Sequence, residues 1–129
     1  MQRISLVAVY TVVEIVEGLK VHTVNVRSLN GRSREVVEML SRRGVDICCL
    51  REMQYKGRGT TFVVANENKY KLWCSESENG ANGIGIFIKC ELAWSVIEVE
   101  RFGDQMMKVK VVLEKIVHQI NLCAIGGKI

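Results

Sequence analysis

The chain contains no proline. Average usage is ~5%, so rigid turns and helix ends here must be made by glycine and asparagine. It has no C-x-x-C pair, and its five cysteines, Cys48, Cys49, Cys74, Cys90 and Cys123, are odd in number. Cys48 and Cys49 are adjacent, and neighbours on a strand point to opposite faces, so they suit packing better than a shared metal. His22 and His118 have no supporting ligand spacing either. Reduced thiols of an intracellular protein, the nucleus included, are therefore expected, and secretion is not. No apolar run reaches the ~20 residues that a membrane-crossing helix requires. The run from Ile4 to Val13 is followed by Glu14 and Glu17 and has no small-residue cleavage pattern, which argues against a signal peptide. A loosely attached strand or helix is expected there. Internal repeats and low-complexity tracts are absent as well, which excludes solenoid and disordered readings.

What is present suits one globular domain: 129 residues, 48% hydrophobic, net charge +4. The charge is unevenly placed. Residues 1–60 hold ten Lys/Arg against six Asp/Glu, and residues 61–129 hold eight of each. The positive excess of the first half fits a polyanion-binding face, as it fits many solvated surfaces.

"LKVHTVNV", residues 19–26, is rich in β-branched residues and reads as a strand. Residues 33–43 place Val36, Val37 and Leu40 at helical spacing, with Glu35 early, Arg42 and Arg43 late, and Gly44 as the stop. Val45–Leu50 is a continuous apolar run of strand length. Strand, helix and buried strand make a βαβ unit with a parallel pair. Further strands are expected at Tyr70–Cys74 and Gly83–Ile88, divided by the turn dipeptides Asn79-Gly80 and Asn82-Gly83. The glycines of "NGIGIF" enter a strand rather than open a helix, so no phosphate-cradling loop is expected there. Residues 105–113 alternate, with Met107, Val109, Val111 and Leu113 on one face and Lys108 and Lys110 on the other. Glu114-Lys115 then turns the chain into a partner strand, Ile116–Ala124, where His118 falls on the apolar face as a core histidine.

In "VDICCLREMQYKGRG", residues 45–59, an apolar strand runs straight into Arg51-Glu52, with Lys56 and Arg58 close behind. Ligand sites of open α/β sheets lie beyond the carboxyl ends of the strands. Asn25, late in the first strand, and Glu52, just past the second, both meet that condition. Adjacent parallel strands would bring them together, as a start for a Mg²⁺ site acting on a phosphodiester. The plain alternative is a turn-capping asparagine and a solvated glutamate.

"TVNVRSLNGRSREVVEMLSRRGVDICCLREMQYKGRG" resembles the opening of the endonuclease/exonuclease/phosphatase superfamily. More narrowly it is similar to the endonuclease domains of RTE-type non-LTR retrotransposons and of craniofacial development protein-like proteins. Those typically read T-W-N-V-R-S-L, then a helix, then V-D-I-x-x-L-Q-E-T-x-W-K-G. The resemblance extends from about residue 19 to about residue 124 and leaves residues 1–18 as an extension outside it. It implies an α/β fold, the first half of a deoxyribonuclease-like α/β sandwich, over residues 19–129. It implies a Mg²⁺-dependent endonuclease acting on DNA, with Mn²⁺ as a substitute ion. Asn25 would then be the active-site asparagine, Glu52 the metal ligand, and Lys56 and Arg58 phosphate contacts.

The departures matter as much. Arg51 stands where the family usually has glutamine, Val24 where it has tryptophan, and Gln105 where arginine is common. Where the family continues A-Y-A-P-Q, this chain reads Ala124-Ile125-Gly126-Gly127-Lys128. The active-site tyrosine, the D-x-N motif and the S-D-H motif have no counterparts. Three readings stay open: a catalytically incomplete endonuclease fragment, a non-catalytic nucleic-acid-binding or interaction fragment derived from a retroelement, and a truncated, element-derived product with no selected function. A half sandwich would also leave a sheet face uncovered and prone to self-association.

Overall fold

The computed structural model describes the backbone of residues 3–8, 13–16, 19–26, 28–55, 59–75, 82–102, 106–113 and 115–123. Side chains are described within 19–26, 28–51, 53, 59–75, 83–102, 106–112 and 115–121. Among the described residues, ten strands and two helices follow in chain order: β1 (Arg3–Ala8), β2 (Val13–Val16), β3 (Leu19–Asn25), α1 (Ser33–Arg42), β4 (Ile47–Tyr55), β5 (Thr60–Ala65), β6 (Asn68–Cys74), β7 (Asn82–Lys89), α2 (Cys90–Ala93), β8 (Val96–Phe102), β9 (Met106–Leu113) and β10 (Ile116–Cys123). They form a six-stranded sheet, β2-β3-β4-β7-β6-β5, and a four-stranded sheet, β1-β10-β9-β8. The fold is α/β in the broad sense, with two sheets and two short helices.

The β3-α1-β4 unit follows from local physics. Val36, Val37 and Leu40 are buried on one stripe of α1, with Glu35 in the first turn and Arg42 in the last, each matching the helix dipole. Gly44 ends the helix at φ 64, a left-handed backbone that glycine adopts without a Cβ penalty. The Val45 amide donates to the Leu40 carbonyl (3.0 Å) and the Gly44 amide to that of Ser41 (3.2 Å), the bonding of a Schellman motif. The chain then returns as β4, parallel to β3.

Strand alternation sorts the apolar residues into two layers. Val36, Val37 and Leu40 of α1 pack on Cys48, Leu50, Met53, Val63, Ala65, Tyr70, Leu72 and Phe87, covering one face of the six-stranded sheet. The Tyr70 hydroxyl donates to the Val45 carbonyl in this layer. The other face buries Val21, Ile47, Cys49, Ile84, Ile86 and Ile88 against Met107, Val109, Val111 and Ile120 of the four-stranded sheet. Cys48 and Cys49 thus sit on opposite faces, as alternation requires.

Several expectations are corrected here. Within residues 1–18, the described strands are not loosely attached: β1 lies parallel to β10, with Arg3 opposite Val117, and β2 lies antiparallel to β3. The inner face of the six-stranded sheet is not left open, because the four-stranded sheet covers it. The second strand of the βαβ unit is not confined to Val45–Leu50; it starts at Ile47 and runs to Tyr55. Glu52 therefore lies within a strand, not just past one. Strands β5 and β8 and helix α2 were not anticipated. β5 closes a hairpin onto β6 through Asn66, which takes φ 59, a conformation asparagine tolerates better than most residues. The strands expected at Tyr70–Cys74, Gly83–Ile88, 105–113 and Ile116–Ala124 appear, over their described residues, as β6, β7, β9 and β10, and His118 is buried in β10.

Candidate functional site

The parallel register of β3 and β4 decides where the sequence-predicted residues fall. Val21 pairs with Ile47, and four residues on, Asn25 pairs with Arg51. Asn25 is the last residue of its strand and is exposed. Glu52 follows Arg51 directly, so its backbone is diagonal to Asn25 at the same end of the sheet. Its side chain, Gln105, Lys56 and Arg58 lie outside the described residues.

The chain after Asn25 stays fastened to β4. The Val26 amide donates to the Arg51 carbonyl (3.1 Å) and the Leu29 amide to the Met53 carbonyl (2.7 Å). These two bonds flank Glu52 and explain why β4 continues past it. The Arg32 Nη1 donates to the Val26 carbonyl (3.0 Å), drawing the start of α1 over the same loop. Leu29 and Met53 are fully buried beneath. On the opposite side of β4, the pairing to β7 is irregular between Arg51 and Tyr55. Leu50 and Met53, three residues apart, both face α1, so the two-residue alternation breaks in the segment that contains Glu52. Irregularities of this kind re-aim side chains and are over-represented beside active sites.

The other face of the same end carries cations. Arg51 shares the face of Ile47 and Cys49, toward the four-stranded sheet, and is half-buried. From that sheet, Arg101 of β8 reaches across and donates its Nε to the Cys74 carbonyl (2.7 Å). Cys74 pairs with Gly85, and Gly85 with Leu50, so Arg101 stands one row from Arg51 along the sheet. Ser75 is buried at this end, bonded to Ile84 through its amide (3.0 Å) and its hydroxyl (3.3 Å). An exposed amide and two guanidiniums from two sheets therefore share one end of the sandwich. Guanidinium forks match phosphate geometry, and an asparagine side chain adds both a donor and an acceptor. Arg101 was missed in the sequence because "VIEVERF" was not read as a strand, although its alternation is visible.

Three of the thiols, Cys48, Cys49 and Cys74, offer no nucleophile. Burial pushes Cys49 up to about 12 and Cys74 up to about 11, and raises Cys48 well above its ordinary value. Thiolates are the reactive form, so these groups pack rather than react. Among the described residues, no cluster of three or more His, Cys, Asp or Glu could hold a metal ion. Mg²⁺ favours oxygen ligands in a near-octahedral shell. The described groups at this end suit an anionic phosphate better than a cation, and a metal ion here would depend on Glu52 and on the oxygens of the bound phosphate.

No protein-family model matches the chain, and no curated protein matches it.

Proposed function

We propose that this chain binds DNA phosphates at the shared carboxyl end of β3 and β4, as a catalytically incomplete member of the endonuclease/exonuclease/phosphatase superfamily. The observation that carries the reading is the pairing of Asn25 with Arg51, which seats Asn25 beside Glu52. Two sheets packed face to face, with a helix on the outer face of the larger, agree with a deoxyribonuclease-like sandwich. In this reading Asn25 hydrogen-bonds a phosphate oxygen, Arg51 neutralises its charge, and Arg101, held at β6 three strand spacings or about 14 Å from β3, meets a neighbouring phosphate. Glu52 would hold Mg²⁺, and the ion would supply Lewis-acid stabilisation of charge on the phosphoryl oxygens. Hydrolysis also needs a general base, and such assistance is worth ~10²–10⁴-fold. No residue of the sequence matches the family motifs that supply one.

The second reading, a non-catalytic nucleic-acid-binding module, is favoured by one specific feature. The described groups at the strand ends are cations and an amide, a set that binds phosphate without cleaving it.

The test combines plasmid nicking with a binding isotherm. Purified residues 1–129 are assayed on supercoiled plasmid with Mg²⁺ and with Mn²⁺, and on labelled duplex DNA across a salt series. Binding that weakens with salt, at a slope of about −0.9 per phosphate contact, and that falls in Arg101→Gln without any nicking, is the expected result. Nicking that is lost in Glu52→Ala would establish a complete enzyme instead. Binding indifferent to Arg101→Gln and Asn25→Ala would remove the site.

A further inference from the structure

The six-stranded sheet is wider than the sheet that covers it. Arg101 of β8 meets β6 at Cys74, and the layer between the sheets reaches only as far as Trp73 of β6. Beyond that line, among the described residues, no strand lies over β5 and the outer part of β6, which form a shelf flanked by α2. Antiparallel pairing sets its rows as Thr60–Trp73, Phe62–Lys71 and Val64–Lys69. On this face Phe62 is 51% exposed and Val64 48%, whereas Val63 and Ala65 of the same strand are buried under α1.

The lysines are held against the rings. The Lys69 Nζ lies 4.5 Å from the Phe62 ring centre and the Lys71 Nζ 5.5 Å from it. Lys71 also lies 4.7 Å from the Trp73 ring centre. These are cation–π distances. No acidic residue occurs in "TTFVVA" or "NKYKLWC"; the nearest carboxylate in the hairpin, Glu67, is exposed in the turn that joins them.

We propose that this shelf binds single-stranded nucleic acid, with Lys69 and Lys71 swinging off the Phe62 ring onto the flanking phosphates and the freed ring face stacking a base. Each residue type then has a partner of matching chemistry. An exposed ring on a flat strand surface gives a sequence-tolerant stacking platform, and ammonium groups beside it follow a phosphate backbone. An acidic polypeptide would satisfy the lysines and leave the ring without a comparable partner. Duplex DNA keeps its bases stacked and cannot offer one to Phe62. The shelf is distinct from the strand-end site. It lies four strand spacings from β3, or about 19 Å, and falls outside the basic first half of the chain. The second half is neutral in total, yet here its lysines gather on one face.

The experiment is fluorescence anisotropy of the full chain with a labelled single-stranded oligodeoxythymidylate, across a salt series. Phe62→Leu keeps the apolar bulk and removes the ring, and it is expected to weaken binding about tenfold, within the range for loss of one base stack. Lys69→Gln with Lys71→Gln is expected to flatten the salt slope by roughly 1.4, at ~0.7 per contact on single strands. Asn25→Ala, which tests the strand-end site from β3, should leave both effects in place, so that either site can fail alone. Single-strand binding unchanged by the Phe62 and lysine variants would overturn the proposal. So would a polyglutamate competitor whose displacement of the strand weakens in Phe62→Leu, since that marks the shelf as a peptide site. A dimer in solution that Phe62→Leu disperses would overturn it too, by assigning the shelf to a second copy of the chain.

Discussion

Asn25 and Arg51 are direct register partners across the parallel β3–β4 pair, which places Glu52 one residue beyond the asparagine's partner. Arg51 therefore occupies the row that a phosphate would share with Asn25, and its charge works against a cation held at Glu52. Titration calorimetry with Mg²⁺ is expected to show weak binding that disappears in Glu52→Gln and strengthens in Arg51→Gln. Tight binding that survives Glu52→Gln would move the ion elsewhere.

Gly85 is a close-approach glycine. A Cβ at this position would lie 2.5 Å from the Met53 Sδ and 3.0 Å from the Trp73 carbonyl oxygen. The sulfur could swing aside, but the carbonyl belongs to the paired strand β6 and cannot. Gly85→Ala is expected to destabilise the fold by about 1–3 kcal/mol, the usual cost of overpacking. Urea unfolding should show a lowered midpoint with an unchanged slope.

His22 should make the protein acid-sensitive. It is buried on β3, and its pKa is lowered by burial first, then by the charges of Lys20 and Arg43. The unfolded chain consequently binds a proton at higher pH than the folded chain does. Stability is unaffected by His22 above about pH 6.5, the ordinary histidine value, and falls as pH drops below it. The slope for one proton cannot exceed ~1.4 kcal/mol per pH unit. Chemical denaturation between pH 7.5 and 5 should show this loss, and His22→Gln should reduce it.

Lys115 turns β9 into β10 at φ 65, a left-handed backbone that favours glycine and asparagine. The residue is exposed, so little packing is lost on replacement. Lys115→Gly is expected to raise stability by roughly 0.5–1 kcal/mol, read as a higher thermal midpoint. An unchanged or lower midpoint would mean that the lysine side chain contributes more than its backbone costs.

Self-association is expected through the four-stranded sheet rather than through the space between the sheets. Strand β8 ends that sheet among the described residues, and Ile97, Phe102 and Met106 are exposed large apolar groups on its outer side. The neighbouring Glu98 and Lys110 are already paired at 2.8 Å, so the charges there are largely spent on each other. An exposed apolar edge of this kind invites strand addition. Sedimentation should show concentration-dependent association that Ile97→Lys reduces. A monomer at high concentration would refute it.

The sequence by itself determined the local elements. Side-chain alternation along a strand and 3.6-residue spacing along a helix are short-range patterns, so β3, α1, most of β7 and the β9–β10 hairpin were legible from apolar periodicity alone. The same alternation fixed Cys48 and Cys49 to opposite faces and His118 to the buried one. It also placed Asn25 and Glu52 at one end of a parallel pair, because a βαβ unit allows no other arrangement. Tertiary structure decided the rest, since strand pairing joins residues that no local pattern links. The continuation of β4 past Glu52 depends on amides from Val26 and Leu29, and the place of β1 depends on β10 at the far end of the chain. Arg101 reaches the strand ends only because the second sheet lies over the first. Phe62 and Val63 are equally apolar in the sequence. Which of them is exposed was settled by α1 covering one face of β5 and by no strand among the described residues covering the other.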